Sequence, residues 1–498
     1  MITSLRRLIG FGAIVAASAS TASAAPIQPR PDPFDSVRAS VRRVMAERKI
    51  PSVAIAAARD GKIVWEEGFG WADRERKVAA TPTTMYSLAS ISKPVTGTGL
   101  MVLVQQGKVN LDAPANDYLK DAPLTAREGR TVDATVRRVA EHTSGLPLHY
   151  QFFYHDRSPA RPTMDEAIRR YGFLAAPPGT QFTYSNLGYG VLERIIERVS
   201  GRSYDAFLRD EVFTPLGLTR MAVVTAPITG DSVATRYDAD QNPIPWYDFD
   251  HRGASAVYAS ARDLARYGIY HLGITAPGQR QILTTEAREE MLRPTSRRAE
   301  RVGYGVGWQT FEDDYGYLAQ GHSGGMPGVA TSLRIYPESK TVVVVLINAA
   351  EGSTAARLAS EVAAAMMPRY AERLRAARAD STATPRFTPG AELTGRWSGT
   401  ITTWQGSIPL SVTLGADGVT RASIGAGAAA EVERVRLQNG RLTGTFDATV
   451  PTPDASRVPH NVMLDLRLHD GALSGWVSAM APNLFALSYY AALKRDPR

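Results

Sequence analysis

The sequence predicts a mixed α/β (α+β) protein: an antiparallel sheet flanked by helices with a mostly helical insert, then a C-terminal all-β, barrel-like domain. Three observations predict it. The chain opens helix, strand, tight turn, strand; strands return as a meander only after residue 318; and beyond a joint rich in Ser, Thr, Ala and Pro the pattern becomes short alternating runs broken by turn dipeptides. A sheet built from both ends of one segment, with helices inserted between, is the natural arrangement.

Taken in order, residues 34–47 have helical spacing, and 52–58 alternate before Asp60-Gly61, a two-residue hairpin signal that leads into 63–69. Residues 90–106 are helical again and end near Gly107; 186–199 and 262–272 are further helices. Residues 318–323, 329–335 and 341–348 form the meander, followed by an alanine-rich helix over 354–377. The sequence thus divides into a first domain over 33–378, a linker at 379–391 and a β-barrel or lipocalin-like domain over 392–498. In the last of these, Asp417-Gly418, Asn439-Gly440 and Asp470-Gly471 mark hairpins, and residues 437–444 echo 468–475. A chain ending near Pro385 is expected to fold and keep its chemistry, with the β domain shaping access.

Composition narrows the function classes. At 498 residues, 44% hydrophobic and 21% charged, the chain is an ordinary globular one with more than one core. Zero cysteines exclude disulfides, thiolate metal sites and a cysteine nucleophile. Arg6 and Arg7, an apolar run and the small residues Ala22-Ser23-Ala24 read as a cleavable signal peptide over 1–24, which places the mature protein in the periplasm or outside the cell. The apolar run is too short for a transmembrane span, and none follows. The formal charge of +8 is scattered arginine among acids, with no basic stripe interleaved with aromatics, so no nucleic acid partner is expected.

The chemistry-bearing stretches begin with Ser90-Ile91-Ser92-Lys93 at a helix start. Residues i and i+3 share a helix face, so the lysine amine can approach the serine hydroxyl, and a desolvated lysine can take its proton. Alone, the tetrad equally fits a capping serine and a solvated lysine. Tyr184-Ser185-Asn186 puts a phenol and an amide two apart just before a helix; Glu141-His142-Thr143-Ser144-Gly145-Leu146-Pro147 and Gly321-His322-Ser323-Gly324-Gly325 are two more distinctive stretches. In this order and spacing they resemble the serine β-lactamase and DD-peptidase superfamily, in the branch of class C β-lactamases, DD-carboxypeptidases, D-amino-acid peptidases and esterases. The resemblance spans about residues 34–367.

That resemblance implies a β-lactamase/transpeptidase-like fold in which Ser90 is the acylated nucleophile, Lys93 its proton partner and Tyr184 the phenolic acid/base. It further implies that Asn186, His322, Ser323 and Gly324 bind substrate and that the N–H groups of Ser90 and Gly325 form the oxyanion hole. The family's strand motif often carries lysine where His322 stands. Histidine, with an ordinary pKa of about 6.5, is mostly neutral at pH 7, so weaker reading of substrate carboxylates is expected.

Gly321-His322-Ser323-Gly324-Gly325 also fits G-x-S-x-G, the nucleophile elbow of another hydrolase class, but that elbow needs a helix directly after the serine, and Pro327-Gly328 and a β-like run follow instead. Tyr150, Phe152, Phe153 and Tyr154 could wall the cleft or be buried in the core. His142, His149, His155, His251 and His271 lack metal-ligand spacing, so neither metal nor cofactor is expected. The function read from the sequence is an exported serine hydrolase of esterase, D-amino-acid peptidase or DD-carboxypeptidase type, acting on a small-molecule or peptide substrate. The alternatives are a β-lactamase proper or a non-catalytic penicillin-binding-type sensor. Oligomeric state is left open.

Overall fold

The computed structural model describes residues 32–157, 159–228, 230–299, 302–313, 316–367, 369–370, 372, 389–390, 392–438 and 440–497. The expected signal segment, most of the 379–391 linker and the end of the 354–377 helix lie outside these. At the first hairpin Asp60 and Gly61 both take positive φ, 49° and 80°, the geometry that matches the twist of the flanking strands. They join strands Ser52–Arg59 and Lys62–Asp73.

Strand Ser52–Arg59 pairs antiparallel with Thr341–Ile347, from Val53 opposite Ile347 to Arg59 opposite Thr341, so the two ends of the segment meet at the middle of one nine-stranded sheet. The meander Leu318–Met326, Val329–Tyr336, Thr341–Ile347 supplies its centre. Alternation of side chains explains why 341–347 reads as unbroken apolar sequence: Val342, Val344 and Leu346 face one core, and Val343, Val345 and Ile347 the other. The second core lies under helices Asp35–Arg48 and Gly352–Met366; the first lies under helix Ala261–His271 and the insert. Gly268 lets helix Ala261–His271 approach closely, since a Cβ there would sit 2.7 Å from Val342 Cγ1.

Residues 395–495 form nine consecutive antiparallel strands of a second sheet. Its edge strands, Ala430–Glu431 and Glu433–Gln438, adjoin in sequence, so the sheet curls almost into a barrel. The internal echo marks two hairpins, Glu433–Gln438 with Arg441–Asp447 and Asn461–His469 with Ala472–Ala481.

This barrel docks on the insert through main chain. Phe485 and Ala486 of strand Phe485–Arg495 pair with Gln151 and Tyr150, and Phe152 N–H donates to Leu484 O at 2.8 Å. Tyr154 Oη donates to Asn483 O at 2.8 Å, Arg457 to Gln151 Oε1 at 2.9 Å and Tyr490 Oη to Glu128 at 2.5 Å. Tyr150 and Phe152 do wall a cavity, whereas Phe153 and Tyr154 are buried beside it. Among the described residues, no helix is long and apolar enough to cross a membrane.

Candidate active site

Strand Met85–Ser87 pairs with Val257–Ser260 and delivers the chain to Ser90. Two clamps fix the approach: Leu88 N–H donates to Val257 O at 2.9 Å, and Leu88 O accepts from Thr331 Oγ1 at 2.9 Å. Ala89 then takes φ +48°, a left-handed conformation costly for a residue with a Cβ. Ser90 therefore sits in a short 3₁₀ turn, Ala89–Ile91, and the α-helix begins two residues later than the sequence pattern indicates, over Ser92–Gln105. The Ser92 hydroxyl accepts from Val257 N–H at 3.0 Å, which ties the helix start to the same strand.

Lys93 is 0% exposed, and burial holds its amine well below the ordinary lysine value. A neutral amine has two hydrogens and one lone pair. Nζ lies 2.8 Å from Asn186 Oδ1, 3.4 Å from Ala254 O and 3.1 Å from Ser90 Oγ. The first two are oxygens that can only accept, so in the neutral amine they take the hydrogens and the lone pair is left for the Ser90 hydroxyl. Asn186 thus orients the lysine, a role the sequence did not reveal.

Tyr184 lies over the same amine, its ring centroid 4.7 Å from Nζ. It is held by His142, itself at φ +62°: the His142 carbonyl accepts from Thr183 N–H at 2.7 Å, Nδ1 accepts from Ser185 N–H at 3.1 Å, and the ring packs on Tyr184 at 4.4 Å. The Ser185 side chain caps helix Asn186–Ser200, as a serine ahead of a helical run should.

Ser90, Tyr184 and Gly325 are shared by two cavities. One, of about 430 Å³, is walled by Tyr150, Phe152, Met326 and Val329 and also holds Asn186, Ser255 and His251. The other, of about 580 Å³, contains Leu148, Gln309, His322 and Ser323 and, from the barrel, Arg441, Met463, Asp465 and Trp476. Ser323 stands in the middle of strand Leu318–Met326, not at a strand-to-helix turn, so the elbow geometry is absent there. His322 is 5% exposed, with Nδ1 2.6 Å from Ser323 O and Nε2 3.0 Å from Tyr304 Oη. Nδ1 must carry the hydrogen for the carbonyl.

Gly324 lines neither cavity. A Cβ there would lie 2.1 Å from Leu88 O and 2.3 Å from Thr331 Oγ1, the pair that fixes the Ser90 turn. Gly324→Ala is expected to cost roughly 3 kcal/mol in urea unfolding. Gly325→Ala, whose Cβ meets nothing within 4 Å, should change stability by less than about 0.5 kcal/mol.

Asp250, fully buried, accepts from His149 Nε2 at 2.7 Å, His251 Nδ1 at 2.5 Å and both nitrogens of Gln151 at 3.1 Å. Burial alone raises its carboxyl, but the two imidazoles hold it well below the ordinary carboxylate range. Two histidines without metal spacing in the sequence are thus partners of one carboxylate. His142 was marked by its stretch of sequence, but the barrel residues of the larger cavity carried no such signal, since Met463 and Asp465 alternate with Leu464 and Leu466 like any solvent face.

Comparison with known proteins identifies the family and the fold. Penicillin-binding protein 4 of Amycolatopsis lactamdurans is 31% identical over 340 residues, covering 64% of this chain and 86% of that protein. The crystal structure of SurE superposes with a TM-score of 0.62 at 20% identity, covering 93% of this chain and 99% of its own. A D-stereospecific amidohydrolase from Streptomyces superposes with a TM-score of 0.53 at 21% identity, over 67% of this chain and 98% of its own. The profile of the Beta-lactamase family matches residues 37–366, which include Ser90, Lys93, Tyr184 and the 321–325 strand, and the chain belongs to that family.

Proposed function

We propose that the chain is an exported serine hydrolase that cleaves an ester or amide through a Ser90 acyl-enzyme, as an esterase or a D-amino-acid peptidase of DD-carboxypeptidase-like kind. The observation that carries the reading is a fully buried Lys93 amine 3.1 Å from the Ser90 hydroxyl, its pKa held well below the ordinary lysine value by burial. In acylation, the Ser90 proton passes to Lys93 Nζ as Oγ bonds to the substrate carbonyl carbon. The N–H groups of Ser90 and Gly325 take the developing oxyanion, a contact in which each donor is worth on the order of 10²–10³ in rate. The Tyr184 phenol gives a proton to the departing oxygen or nitrogen and recovers one from Lys93. Water then attacks the acyl-enzyme with the same groups in reverse. The cavity with Asn186 receives the acyl half, as the family resemblance implies, and the one with His322 is left for the leaving group.

A panel of simple esters, D-amino-acid amides, D-Ala-D-Ala peptides and a chromogenic cephalosporin tests the reading. Turnover of the esters or D-amino-acid substrates above the cephalosporin is expected. Fastest turnover of the cephalosporin would mean a β-lactamase proper; no turnover, with Ser90 unlabelled by a fluorophosphonate, would mean a non-catalytic member.

A further inference from the structure

The outer face of the barrel is built into the larger cavity. Asp465 lies directly opposite Trp476 on the neighbouring strand, and Arg441, one strand over, stands opposite Arg467. Arg441 donates through Nε and Nη2 to the two oxygens of Asp465, which is buried, and its Cζ lies 5.2 Å from the Trp476 ring. This leaves the Nη1 edge of a guanidinium fixed in orientation by its carboxylate.

Trp476 packs on Phe173 and Ala175 of the insert, and its Nε1 is buried with no hydrogen-bond partner. Arg467, which lines a neighbouring cavity, acts electrostatically on Asp465, and its Nε is buried without a partner. Two guanidiniums therefore share one carboxylate, and the cluster keeps a net positive charge beside the cavity that Arg441 lines, which makes this wall complementary to an anion. Across the cavity, the His322 ring is already engaged by Ser323 O and Tyr304 Oη.

We propose that the barrel reads the leaving-group half of the substrate, with Arg441, oriented by Asp465 beside Trp476, taking a carboxylate on that half. The inference rests on the hydrolase reading above and adds its substrate class: esters or amides whose leaving group ends in a carboxylate, as an amino acid or short peptide does.

The test uses the full chain and two aryl esters with the same acyl group, one leaving as 3-hydroxybenzoate and the other as its methyl ester. The kcat/KM ratio of the carboxylated to the methylated substrate is compared across variants, which cancels the intrinsic difference between the two leaving groups. Arg441→Gln alone strands the buried Asp465 charge, so the deciding variant is the pair Arg441→Gln with Asp465→Asn, checked for native near-ultraviolet dichroism. A fall of tenfold or more in the ratio is expected. An unchanged ratio in a folded double variant overturns the proposal. If the wild type hydrolyses neither ester and Ser90 is not labelled by a fluorophosphonate, the hydrolase reading fails and this inference falls with it; labelling with an insensitive ratio sinks the inference alone.

Discussion

Replacing Ser90 by alanine is expected to lower ester kcat/KM by on the order of 10⁴-fold or more and to abolish fluorophosphonate labelling. The strained turn at Ala89, the two clamps on Leu88 and the tight seat of Gly324 all converge on that hydroxyl. Lys93→Met should cost nearly as much, because an isolated serine is a weak nucleophile without the lone pair beside it. The two groups act on one proton, so the double variant should be no slower than Ser90→Ala, as residues that work as a unit are grossly non-additive. Peptide mass spectrometry of the labelled protein locates the adduct. An adduct on Ser323, or multiplicative losses in the double variant, would remove the Ser90–Lys93 pair from the centre of the chemistry.

The parts of this site that the sequence reveals are those set by local rules. Ser90 and Lys93 are one helical turn apart, Tyr184 and Asn186 precede a capped helix, and the His322 strand belongs to a meander announced by its turns. The two ends of the sheet were legible because alternating runs at each end needed partners, and the hairpin dipeptides gave the barrel. What stayed hidden arises from docking. Nothing in the spacing of Arg441, Asp465 and Trp476 distinguishes a solvent-facing sheet from one pressed against the insert by the pairing of Phe485 with Gln151. The expectation that a chain ending near Pro385 keeps its chemistry acquires a physical qualification for the same reason: such a chain would lose one wall of the larger cavity and leave the edge of strand Tyr150–Tyr154 without its partner. The pairing of His149 with Asp250 is likewise a contact across about a hundred residues of sequence.

The buried amine also makes a stability prediction of opposite sign to the catalytic one. In the unfolded chain Lys93 is protonated up to its ordinary value near 10.5, whereas in the fold burial holds it well below that. Above the folded value, unfolding therefore takes up a proton at Lys93, and the contribution of this group to stability rises with pH. For as long as Lys93 stays neutral in the fold, the slope is about 1.4 kcal/mol per pH unit. It vanishes above the unfolded value, where both states are neutral, and below the folded value, where both are charged. Methionine is similar in length and carries no proton, so the stability of Lys93→Met relative to the wild type should be greatest at neutral pH and shrink steadily toward pH 10. A constant offset remains, because Asn186 Oδ1 loses its donor, a change of roughly 1–3 kcal/mol that does not depend on pH. Urea unfolding of both proteins at pH 7, 8, 9 and 10 separates the slope from the offset. A difference that does not change with pH would mean that Lys93 is charged in the folded protein, and a charged Lys93 has no lone pair with which to take the Ser90 proton.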